Sequence, residues 1–123
     1  MIDDMAIKEK MRIVQELVPG KQITLAHIIA NPDAILYKKL GLDPAVEYSK
    51  SAIGIVTMSP AETAIIAGDI ALKSSGVELG FVDRFSGTLI VTGTVSDVQA
   101  SLKALTDYCR EVLGFAVCPI TKT

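Results

Sequence analysis

Apolar and polar positions change rhythm several times along the chain. Residues 12–18 alternate, with Ile13, Gln15 and Leu17 set against Val14, Glu16 and Val18, and Pro19-Gly20 then turns the chain. That period of two predicts a short strand, half polar on one face. Residues 21–30 predict a second, more apolar strand. Asn31-Pro32 follows as cap and first helical residue, and a short helix runs to Leu40 with Ile35, Leu36 and Leu40 as its apolar face. Gly41 stands where helices stop in a left-handed conformation, and residues 42–50, with Asp43-Pro44, read as a loop.

Residues 52–58 are apolar almost throughout, the mark of a strand covered on both faces. Ser59-Pro60-Ala61-Glu62 reads as a capping box opening a helix to about Lys73, which stops by Gly76. Ala61, Ala64, Gly68 and Ala71 form a smooth stripe on it, suited to close approach of another element. Residues 77–81 and 88–95 predict two antiparallel strands joined through Asp83, Arg84, Phe85, Ser86 and Gly87. A second capping box spans 96–99, before a stripe of Val98, Leu102, Leu105, Cys109, Val112 and Leu113 that ends at Gly114. Residues 115–120 predict a last strand at an edge, because of Pro119. The order β, β, α, β, α, β, β, α, β gives an α/β (α+β) domain, a mixed and mainly antiparallel sheet with helices packed on one face.

Composition narrows the function classes. At 123 residues and 50% hydrophobic content the chain fills one two-layer core, yet it has no Trp, three Tyr and three Phe. Small aliphatic side chains are therefore expected to pack its core and, for so apolar a chain, its subunit interfaces. No apolar run approaches the roughly 18 residues of a membrane helix. The charged stretch 1–12 cannot serve as a secretory leader, so a cytoplasmic location is expected. A net charge of −2 with interspersed signs leaves no basic footprint for nucleic acid.

Candidate chemistry is sparse. Gly20-Lys21 lacks the Ser or Thr and the earlier glycine of a phosphate loop. His27 is the sole histidine, inside an apolar strand and without partners at ligand spacing, so no metal is expected. A triad would have to join it to distant Ser59, Ser86 or a cysteine, without a local signature. Cys109 reads as a small buried hydrophobe, and Cys118 has no basic neighbour but Lys122. Asp69 and Lys73 are four apart on one helix, a surface pair. Asp83 and Arg84 occupy an exposed turn, the sort of place where function concentrates. Neither a cofactor nor catalysis is expected.

Residues 14–32, Ala52-Ile53-Gly54-Ile55 and residues 80–87 (Gly-Phe-Val-Asp-Arg-Phe-Ser-Gly) together resemble bacterial microcompartment shell proteins. The likeness covers residues 12–123 and is to the circularly permuted hexameric subunits of ethanolamine, propanediol and choline utilisation compartments. It implies a homohexamer that tiles with other shell proteins into a polyhedral shell around aldehyde-producing enzymes, one of which could dock on it, and that catalyses nothing. It divides the chain into an extension (1–11), a barrel-forming strand and turn (12–20) and one permuted BMC domain (21–123). It implies further that Asp69 and Lys73 lie at the hexamer edge and that Asp83, Arg84, Phe85, Ser86 and Gly87 line the central pore. Ser74 and Ser75, where relatives have alanines, depart mildly from the edge pattern. The segment Ile13, Val14, Gln15, Glu16, Leu17 and Val18 would join its symmetry mates in a small axial β-barrel capping the pore. Two rival readings are a small oligomeric regulator binding a metabolite between subunits, and an enzyme using Asp83 and Arg84.

Overall fold

The computed structural model describes residues 20–42 and 51–123. Five strands form one sheet there: β1 (Gln22–Ile29), β2 (Ala52–Ser59), β3 (Glu78–Asp83), β4 (Thr88–Gly93) and β5 (Thr121–Lys122), in the order β3-β4-β2-β1-β5. The β1–β2, β2–β4 and β3–β4 pairs are antiparallel and β5 is parallel to β1. The helices are α1 (Ala34–Lys39), α2 (Thr63–Ser74) and α3 (Val95–Glu111). The sheet is thus mixed and mainly antiparallel, as the sequence predicts.

Apolar residues spaced along α3 and alternating along the strands meet in one layer. Val98, Leu102, Leu105 and Cys109 are fully buried against Ala26, Ile28, Val56, Leu89 and Val91. Burying one such Leu side chain contributes about 1.5–3 kcal/mol. The small-residue stripe of α2 is buried at Ala64, Ala67, Gly68 and Ala71, so α2 lies close to α3 and β3. At Gly54 the approach of α3 leaves no room: an added Cβ would be 2.7 Å from Val98 Cγ1 and 2.9 Å from Leu102 Cδ1.

Element boundaries differ from expectation at four places, each for a local reason. The cap of α1 is Asp33 instead of Asn31, because the Asp33 carboxylate accepts from the Ile35 amide at 3.0 Å. None of α1 is buried, and its expected apolar face leaves Ile35 and Leu40 exposed. Ser59 does not cap α2: it is the last residue of β2, paired with Gln22, so the chain must turn before Thr63 opens the helix behind Glu62. Thr94, not Ser96, caps α3, its hydroxyl accepting from the Asp97 amide at 3.1 Å. The last strand is not 115–120. Ala116 makes an isolated bridge to Gln22, and regular pairing resumes only past Pro119, which has no amide proton to give. Gly41, Gly87 and Gly114 take positive φ, the first and last where helix stops are expected. Residues 1–19, with the extension and the barrel strand, and residues 43–50 lie outside the described residues.

Candidate functional site

The turn between β3 and β4 is held by its own side chains. One Asp83 carboxylate oxygen accepts from the Phe85 amide at 2.9 Å and the other from the Ser86 hydroxyl at 2.8 Å. The Gly87 amide donates to the Asp83 carbonyl at 2.9 Å, closing the turn. The Phe85 N–H, then the Ser86 hydroxyl, hold the Asp83 carboxyl below its ordinary range, so it is ionised at neutral pH. Its charge is engaged inside the turn. Arg84 makes no ion pair among the described residues; its guanidinium lies 5.0 Å from the centre of the Phe85 ring, which is 80% exposed. The turn therefore presents a cation and an aromatic face outward.

One point ties this turn to the rest of the fold. The Met58 amide donates to the Gly87 carbonyl at 2.9 Å, and Gly87, with φ +75, sits so tightly that a Cβ would collide with the Met58 carbonyl oxygen. Only glycine combines that φ with that approach.

Asp69 and Lys73 form an ion pair at 2.7 Å on the exposed side of α2. The hydrogen bond from Lys73 to Asp69, and then the charge of Asp69, raise the Lys73 pKa. With both side chains well exposed, the pair adds little to stability and leaves both groups at the surface.

The remaining candidates are not brought together. His27 Nδ1 lies 2.6 Å from the Thr121 hydroxyl and Nε2 2.9 Å from that of Thr123, so the ring clamps the last residues against β1. Ser86 is engaged by Asp83 and not by His27, and neither cysteine joins them. Burial pushes the Cys109 thiol up, away from thiolate chemistry. Among the described residues no group of three His, Cys, Asp or Glu side chains could hold a metal ion. A hydrogen-bonded histidine is the ordinary reading of a lone His in an apolar strand; its partners Thr121 and Thr123, two apart, carry the strand period that puts both hydroxyls on one side.

The BMC domain profile matches residues 52–121. The chain is 55% identical over 112 residues to the bacterial microcompartment shell protein PduU of Salmonella typhimurium, covering 91% of this chain and 93% of that one. It is 49% identical over 114 residues to the shell protein EutS of the same organism, covering 93% and 98%. Among solved structures it is similar to a flat hexamer of CutR, with TM-score 0.79 and 45% identity over 86% of this chain and 94% of that one. These relatives are structural proteins and not enzymes, and they lend no support to a metabolite-binding regulator. No helix among the described residues is long and apolar enough to cross a membrane. Fold, family profile and near-full-length identity agree: the chain belongs to the BMC-domain family of bacterial microcompartment shell proteins.

Proposed function

We propose that the chain is a shell tile, a closed ring of six copies that packs beside other rings and other shell proteins into the wall around aldehyde-producing enzymes. The observation that carries this is the likeness, in both sequence and backbone, to the CutR flat hexamer. In such a ring the turn Asp83–Gly87 surrounds the sixfold axis. Rotation repeats Arg84 and Phe85 six times there, which converts one exposed cation into a basic ring. Asp83, engaged by its own turn, holds the loop in shape and opposes that charge only in part.

Residues 13–18 supply the axial barrel in this reading. A closed barrel leaves no open strand edges, and with the axis plugged on one side the ring serves tiling, or docking of an enclosed enzyme, ahead of transport. The domain division follows the same reading, with 21–123 as the tile, its order permuted so that β1 precedes the segment that the family profile matches. Asp69 and Lys73 mark the outer edge that meets the next ring.

Light scattering on the purified protein tests the ring. About six times the 13.1 kDa chain mass is expected, retained after deletion of residues 1–18 if the cap is accessory. A monomer at micromolar concentration would overturn the reading. Lys73→Ala is expected to keep the ring mass while impairing growth of sheets under the electron microscope; sheets indistinguishable from the parent's would remove Lys73 from the edge.

A further inference from the structure

The sheet ends in two unlike edges. Among the described residues β3 leaves one edge open, whereas β1 is closed at the other by the two-residue β5. The segment that leads to β5 is fixed at its near end. Phe115 is buried, and its amide donates to the Cys109 carbonyl at 2.8 Å. The Ile23 amide donates to the Ala116 carbonyl at 2.8 Å, and the Ala116 amide to the Lys21 carbonyl at 3.0 Å. Pro119, with no amide proton, then interrupts the pairing. Residues 119–123 are all exposed, so burial does not hold them. Their attachment is polar. The Thr123 amide donates to the Ile28 carbonyl and the Ala30 amide to the Thr123 carbonyl, both at 2.9 Å. The Thr121 and Thr123 hydroxyls meet the two ring nitrogens of His27, and that of Thr121 also reaches the Ala26 carbonyl at 3.4 Å.

We propose that residues 120–123 form a strap that lifts off β1 without unfolding of the sheet, and that His27 is the latch that keeps it closed. The inference rests on contacts within one chain and is independent of the ring reading. Ordering an exposed segment costs backbone entropy, which a few exposed backbone hydrogen bonds, each exchanged for one to water, barely offset. The side-chain contacts therefore decide the balance. His27 is placed to do so: it is paired with Ile55 on one side and Thr121 on the other, so the ladder fixes its backbone. A neutral imidazole donates at one nitrogen and accepts at the other, and a threonine hydroxyl can do either, so both contacts form with either tautomer. Lifting the strap uncovers the Ile28 carbonyl and the Ala30 amide and turns β1 into a free edge to which another extended segment can pair.

The test is amide hydrogen exchange, followed by NMR on the full chain. In the parent, the Ala30 and Thr123 amides should be less protected than those of Ile23, at the anchored end, and Met58, inside the sheet. Thr121→Val/Thr123→Val keeps the branched shape and removes both hydroxyls. Protection at Ala30 and at position 123 should fall at least tenfold, while Ile23 and Met58 keep their parent values. Thr121→Ser/Thr123→Ser, which restores the hydroxyls, should keep parent protection at Ala30. Equal protection of all four amides in the parent, or an equal fall at Ala30, Ile23 and Met58 in the valine variant, means that the segment opens only with the whole sheet and overturns the strap. Parent-level protection of Ala30 in the valine variant, or a serine variant as unprotected as the valine one, overturns the latch.

Discussion

β2 meets its neighbours closely in two places, beneath α3 at Gly54 and beside the hairpin turn at Gly87, and the two contacts differ in what they touch. At Gly54 the obstacles are methyl groups of Val98, Leu102 and Val91. At Gly87 the obstacle is the backbone of Met58, in a residue whose φ is already positive. Side chains yield by changing rotamer at some cost, whereas a carbonyl fixed in a sheet ladder does not. The core of this protein therefore tolerates repacking better than the point at Gly87 where the loop leans on the sheet.

The sharpest break of that contrast is Gly87→Ala. Left-handed backbone costs a non-glycine residue about 1–2 kcal/mol before any collision, and the Met58 carbonyl adds to it. A fall in melting temperature of roughly ten degrees or more is expected, with no rescue from trimming side chains nearby. Gly54→Ala should cost about 1–3 kcal/mol by overpacking. Here, unlike at Gly87, a second change should help: Gly54→Ala with Val98→Ala is expected to be more stable than the sum of the two single losses, which a double-mutant cycle would measure. Additive losses at Gly54 would mean that the two sites do not differ in kind.

Acid should loosen the turn and leave the core alone. A carboxyl whose folded pKa is depressed contributes stability above its unfolded pKa, and that contribution disappears as pH falls through the folded value. For Asp83 the loss falls below the ordinary carboxylate range, and Ser86→Ala, by removing one of its donors, should move it to higher pH. An NMR titration of the Asp83 carboxyl against a core methyl such as Leu102 would show both effects. The smallest change in stability belongs to Arg84→Ala, within about 0.5 kcal/mol as for an exposed side chain that makes no ion pair among the described residues. Its effect should appear instead as weaker anion binding by the ring, followed by calorimetry.

The same contrast explains what was legible beforehand. The stripe of α3 and the small-residue face of α2 repeat at helical spacing and fill one interior, so their burial follows from the pattern alone. The caps are not legible in the sequence because Ser59, Asn31 and Ser96 each have a local competitor: sheet pairing for Ser59, Asp33 and Thr94 for the others. The exposed apolar face of α1 is not legible as surface, since a sequence marks a residue as apolar without saying whether the fold buries it. In the turn, residue types announced an exposed loop, while the use of both Asp83 oxygens within it depends on backbone geometry.

The open edge carries one irregularity with a consequence for solubility. Register slips between Leu79 and Phe81, placing a bulge at Gly80 in the middle of β3. A bulged edge is a poor template for another strand, because its amides and carbonyls no longer fall in an even row. A second strand approaching there is thus steered away from lengthening the sheet into a ribbon and onward into fibrils. An edge of this shape resists extension by a hydrogen-bonded ladder, the kind of contact that propagates without limit.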